Sequence, residues 1–152
     1  MSRVQLALNV SDIDAAVEFY SKLFATEPNK RRPGYANFAV ADPPLKLVLI
    51  ENGSAEGRLN HLGVEVPSTA EVNAADARLK GDGLATATED NVACCYAMQD
   101  KVWVDDPDGA PWEIYTVLAD VEMPEGQLRT VDPATDAACC SVTPEADTVR
   151  CC

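Results

Sequence analysis

The stretch Asn60-His61-Leu62-Gly63-Val64-Glu65-Val66, followed at once by Ser68-Thr69-Ala70-Glu71, decides the fold. Its apolar residues alternate with other types, the period-two pattern of a half-buried strand. The tetrad has the form of a capping box, in which a serine and a glutamate satisfy the first free amides of a helix. Val72, Ala75 and Leu79 then recur at helical spacing, and Gly81 and Gly83 mark where that helix stops. The same grammar stands earlier in the chain. Val4-Gln5-Leu6-Ala7-Leu8-Asn9-Val10 alternates in the same way. Ser11, with Asp14 as its capping partner, opens a helix whose stripe is Ile13, Val17, Tyr20 and Phe24.

Strands follow each helix. In the first half they fall at 35–41 and 45–50, separated by Asp42-Pro43-Pro44, with a faint strand near 28–32. In the second they fall near 84–89, 94–98 and 101–105. The turn Asp106-Pro107-Asp108-Gly109 then leads into the strand Trp112–Val117. Twice, the order is strand, helix, three strands. The expectation is an α+β fold of paired βαβββ modules, about 1–53 and 58–118, whose sheets curl into a half-open mixed β-barrel with both helices outside. Residues 119–152 contain no Phe, Trp or Tyr and are expected to be a flexible tail.

The charge balance narrows the partners. Twelve basic against 25 acidic residues give a net charge of −13, which disfavours nucleic acid and anionic membrane surfaces. The apolar share of 47% suits an ordinary core. No long apolar run precedes Asp12 and Asp14, so the chain reads as cytoplasmic, with neither signal peptide nor transmembrane span. Whether it forms a homodimer is left open.

The strand faces single out a site. If Val4, Leu6, Leu8 and Val10 meet the first helix, then Gln5, Ala7 and Asn9 point inward; by the same rule His61, Gly63 and Glu65 do so in the matching strand. Gln5 and His61 occupy equivalent positions. Aligning Pro44 with Pro111 sets Lys46 opposite Glu113, which gives four corners: Gln5, Lys46, His61 and Glu113. An imidazole, a carboxylate and an amide oxygen could hold one divalent ion on a single face and leave its other positions open. Iron(II), nickel and cobalt all suit such ligands. Equally, His61 could be hydrogen-bonded structure and Glu113 a partner of Lys46.

Cysteine occurs only in adjacent couples: Cys94–Cys95, Cys139–Cys140 and Cys151–Cys152. Random placement would give about 0.2 such couples. Neighbouring thiols close a strained ring if oxidised together, but they chelate one soft centre well. The expectation is a protein that handles a thiophilic metal or metalloid. Thr88-Glu89-Asp90-Asn91 ahead of the first couple is polar and turn-prone, so Cys94 sits either on a moving loop or at a fixed strand end. Tyr35, Tyr96, Gln99, Lys101 and Trp103 are candidate pocket walls. The couples in the tail, Cys139–Cys140 and Cys151–Cys152, read either as incidental or as arms that capture substrate.

These residues carry a resemblance. The paired modules, Asp106-Pro107-Asp108-Gly109 ahead of Trp112-Glu113, and the His61 strand resemble the vicinal oxygen chelate superfamily of glyoxalases, bleomycin-resistance proteins and extradiol dioxygenases. The stretches RPGYANFAVADPPLKLVLIE (32–51), NHLGVEV (60–66) and ACCYAMQDKVWV (93–104) resemble its cadmium-induced and organoarsenical-lyase branch. That resemblance implies an iron(II)-dependent, dioxygen-consuming enzyme that cleaves the carbon–arsenic bond of trivalent organoarsenicals such as methylarsonous acid, releasing arsenite. It implies Gln5, His61 and Glu113 as metal ligands and catalytic residues, and Cys94 and Cys95 as the arsenic-binding pair. The competing expectation is a non-catalytic resistance protein that binds cadmium or arsenic through sulfur.

Overall fold

The computed structural model describes residues 1–122. The elements run β1 (Arg3–Val10), α1 (Ile13–Phe24), β2 (Lys30–Arg32), β3 (Tyr35–Val40), β4 (Leu45–Glu51), β5 (Leu59–Glu65), α2 (Thr69–Gly81), β6 (Ala87–Cys94), β7 (Ala97–Asp105) and β8 (Pro111–Asp120). The expected βαβββ unit therefore occurs twice. All strands join one sheet in the order β2-β3-β4-β1-β5-β8-β7-β6. Each half contains one parallel pair, β1 with β4 and β5 with β8, and the halves meet at the antiparallel pair β1–β5.

The sheet curls until its first edge nears the far half. Lys30 of β2 pairs with Asp120 and donates to the carbonyl of Tyr96 at 3.1 Å, and Arg32 binds Glu122 at 2.6 Å. These contacts span the open side of the half-barrel. β8 continues through Asp120, two residues past the expected edge of the second module.

Both helices pack outside, as their apolar stripes require. Ile13 and Val17 of α1 are buried against Val10, Phe38, Val40, Leu47 and Leu49, with Leu6 and Leu8 partly covered alongside. Val4 lies on the same face but stays exposed. The cap of α1 also differs. Asp12, not Ser11, accepts from the Ala15 amide at 2.9 Å, and Asp14 pairs instead with Arg31. In α2, Ser68 receives the Glu71 amide as its tetrad requires. Val72 and Leu79 are buried, and the helix packs on β7 and β8.

The second hairpin corrects the sequence reading. No break separates 94–98 from 101–105; β7 is continuous and the chain reverses at Cys95–Tyr96. Both residues have positive φ, 53° and 63°, the geometry of a two-residue type I′ turn, whose twist matches that of paired strands. Nor is Thr88–Asn91 a loop. It belongs to β6, with a register shift between Glu89 and Val92 where Asn91 takes φ 54° and its amide is held by Asp100 at 2.7 Å. An extra residue accommodated as a bulge explains why that run reads as polar and irregular.

Candidate metal centre

Strand register lines up the site. Gln5 of β1 stands beside Gly63 of β5, and Gly63 beside Glu113 of β8. His61 lies two residues along β5 from Gly63, so it shares the inward face. Gly63 keeps the space between its neighbours clear. A Cβ there would sit 3.0 Å from Glu113 Cγ and 3.4 Å from Gln5 Cβ.

The three expected ligands converge. Gln5 Nε2 is 3.0 Å from His61 Nε2 and 2.6 Å from Glu113 Oε1, while His61 Nε2 and Glu113 Oε1 are 3.3 Å apart. Three ligands at right angles, each about 2.1 Å from an ion, would stand about 3.0 Å from one another. The spacing fits a divalent cation with its remaining positions open. The donor set is one imidazole, one carboxylate and one amide. Among the described residues no three His, Cys, Asp or Glu side chains cluster.

Surrounding groups fix the ligand orientations. Asn60 Nδ2 donates to Asn9 at 2.9 Å, which turns Asn60 Oδ1 onto His61 Nδ1 at 2.7 Å. His61 thus carries its proton on Nδ1 and aims the Nε2 lone pair into the site. Lys101, 1% exposed, donates to Glu113 Oε2 at 2.8 Å. Burial opposes the charges on both, yet the pair outweighs it. Lys101 is held above the ordinary ammonium range by Cys94, Glu113 and Cys95, and Glu113 is held well below the carboxylate range by Lys101.

The thiol pair lies in the same interior. Cys94 Sγ and Cys95 Sγ are 3.4 Å apart, too far for a disulfide and close enough for one soft centre to bridge. Trp103 packs in one cluster with Cys94, which Cys95 adjoins, and meets His61 edge-on at 5.5 Å, so one indole links the thiol cluster to the triad. Cys95 also lines a cavity of about 160 Å³ with Tyr35, Asn37, Lys46 and Glu65. The hydrogen bond to Cys94, then burial, raises the Cys95 thiol well above its ordinary value, and Lys101 pulls the other way.

Residues 3–114 match the Glyoxalase/Bleomycin resistance protein/Dioxygenase superfamily. The chain belongs to that superfamily. It is 58% identical over 142 residues to the trivalent organoarsenical cleaving enzyme of Thermomonospora curvata, covering 93% of this chain and 89% of that protein. It is 65% identical over 122 residues to the cadmium-induced protein CadI of Mycobacterium tuberculosis, covering 80% of each. Among solved structures, homoprotocatechuate 2,3-dioxygenase from Arthrobacter globiformis shares the fold with a TM-score of 0.56 and 24% identity, over 78% of this chain and 36% of that one.

Within this superfamily fold, Gln5, His61 and Glu113 meet as the strand faces imply, and Lys46 does not join them. It sits 3.4 Å from Glu65 and 4.9 Å from the centre of the Tyr115 ring. In the register Lys46–Gln5–Gly63–Glu113, three strand spacings of about 4.8 Å each separate Lys46 from Glu113. Lys101, named only as a pocket wall, is the true partner of Glu113 because β7 adjoins β8. Glu65 faces inward as the alternation of its strand implies; Asn60 and Tyr115 were not anticipated, and they lie on strands already recognised, one residue from His61 and two from Glu113. Cys139, Cys140, Cys151 and Cys152 lie outside the described residues. No helix among the described residues is long and apolar enough to cross a membrane.

Proposed function

We propose that this chain cleaves the carbon–arsenic bond of trivalent organoarsenicals, using dioxygen and an iron(II) ion held by Gln5, His61 and Glu113. The observation that carries the reading is the juxtaposition of a divalent-metal donor set and a vicinal dithiol, linked through Trp103 and Lys101. The high identity to a protein named for organoarsenical cleavage supports the same reading.

The chemistry suits the residues. Cys94 and Cys95 replace the two hydroxyls of methylarsonous acid, with loss of two waters, and leave a pyramidal arsenic bearing one carbon. Capture this close to the triad converts an encounter into an intramolecular arrangement, worth several kcal/mol of about 7–11 available to such proximity. Iron(II), when bound, supplies the site at which dioxygen is reduced. Lys101 holds Glu113 by one oxygen and leaves the other to the ion. One methylarsonous acid and one dioxygen balance as one arsenous acid and one formaldehyde. Dioxygen uptake should therefore match arsenite release one to one. Glu113→Gln should abolish both while arsenical still binds the thiols; undiminished release from Glu113→Gln would contradict the assignment. The identity to a cadmium-induced protein favours a second reading, sequestration by sulfur alone, which the same variant would leave intact.

A further inference from the structure

Tyr115 OH faces two acceptors with one hydrogen to give. Gln5 Oε1 stands 2.5 Å away and Glu65 Oε2 3.0 Å away. A phenol has one donor and two acceptor lone pairs, so both contacts cannot be donated at once. Glu65 has the stronger claim. Arg3 binds it through Nε and Nη2 at 3.0–3.2 Å, and Lys46 adds a second cation at 3.4 Å, so it is a carboxylate. Hydrogen bonds to charged acceptors outweigh those to neutral amides.

The amide of Gln5 is symmetric in shape and opposite in chemistry at its two ends. With nitrogen toward the triad, it offers a donor to Glu113 and asks Tyr115 for the hydrogen that Glu65 claims. Turned by 180°, it offers nitrogen to the free lone pair of Tyr115 and oxygen to the triad. With a cation in the site to take that oxygen, every group in the chain Arg3/Lys46–Glu65–Tyr115–Gln5 is satisfied. We infer that Glu65 and Tyr115 are positioning residues that orient the Gln5 amide oxygen-inward and so make it a ligand for a divalent cation. The inference rests on Gln5, His61 and Glu113 forming the metal site, and it adds what selects the oxygen of a neutral, two-faced side chain. No feature of the sequence pattern points to it, because Glu65 and Tyr115 are distant from Gln5 and meet it only through the register of β1, β5 and β8.

The test is a two-by-two cycle read by cobalt(II) binding to the full-length protein, followed by visible absorption, with a melting curve for each variant. Tyr115→Phe removes the acceptor for the amide nitrogen and should weaken cobalt binding about tenfold. Gln5→Glu presents an oxygen whichever way it turns, so in that background Tyr115→Phe should cost less than twofold. Glu65→Gln should follow the same pattern. A purely structural tyrosine would weaken binding equally in both backgrounds, and that result overturns the inference while leaving the metal site standing. Wild-type protein whose cobalt binding is unchanged by His61→Ala would overturn the metal site and the inference with it.

Discussion

Lys101 Nζ lies 2.8 Å from Glu113 Oε2, and this contact leaves Oε1 of the same carboxylate to Gln5 and His61. One buried cation thus takes one oxygen of the carboxylate and leaves the other facing Gln5 and His61. Both partners are almost fully buried, so neither can turn to water if the other is removed.

Lys101→Met should accordingly destabilise the fold by about 3–5 kcal/mol in urea unfolding near neutral pH, since it strands a buried carboxylate. Lys101→Met with Glu113→Leu should recover most of that loss. A loss under 1 kcal/mol for Lys101→Met would mean that the carboxylate has another partner. Sign and pH agree: the folded state holds Glu113 below its ordinary value of 4.5, so its contribution is present above that value and fades as pH falls further.

Gly63→Ala tests the spacing of the triad. The added methyl would press on Glu113 Cγ at 3.0 Å and on its carbonyl at 3.2 Å, both in a central strand. Overpacking of this kind costs about 1–3 kcal/mol. Cobalt affinity should fall by more than the melting temperature suggests, because the methyl enters between two ligands. Unchanged affinity would place the ion elsewhere.

The thiols supply a pH dependence. Folding raises the Cys95 thiol, first through its hydrogen bond with Cys94 and then through burial. The protonated form is favoured in the folded state, so the contribution to stability is complete below the ordinary value of 9.0 and is lost as pH rises through the folded value. The Cys95 share of the thiolate absorbance at 240 nm, taken as wild type minus Cys95→Ser, should rise only above pH 9.0, and Lys101→Met should move it higher still. Ionisation below 9.0 would contradict this account.

Much of this was legible because period-two alternation and capping tetrads repeat, and repetition brings Gln5, His61 and Glu113 together without any contact being known. The Cys95–Tyr96 turn was not legible. Positive φ at two successive residues usually carries Asn or Gly, and neither residue announces it. The partner of Glu113 was misread because matching Pro44 with Pro111 gives equivalence between modules, not adjacency. Lys46 and Glu113 share a row across the sheet, but Gln5 and Gly63 stand between them. Side-chain networks such as Glu65–Tyr115–Gln5 depend on which strands neighbour each other, and alternation alone does not specify that.

Arsenic speciation after incubating methylarsonous acid with the iron(II)-loaded protein tests the central claim most directly, with matched aerobic and strictly anoxic samples. The account predicts arsenite in air, none without dioxygen, and none in air from Cys94→Ser/Cys95→Ser. Arsenite formed at equal rates under anoxia, or methylarsenic that stays bound and intact in air, would contradict it.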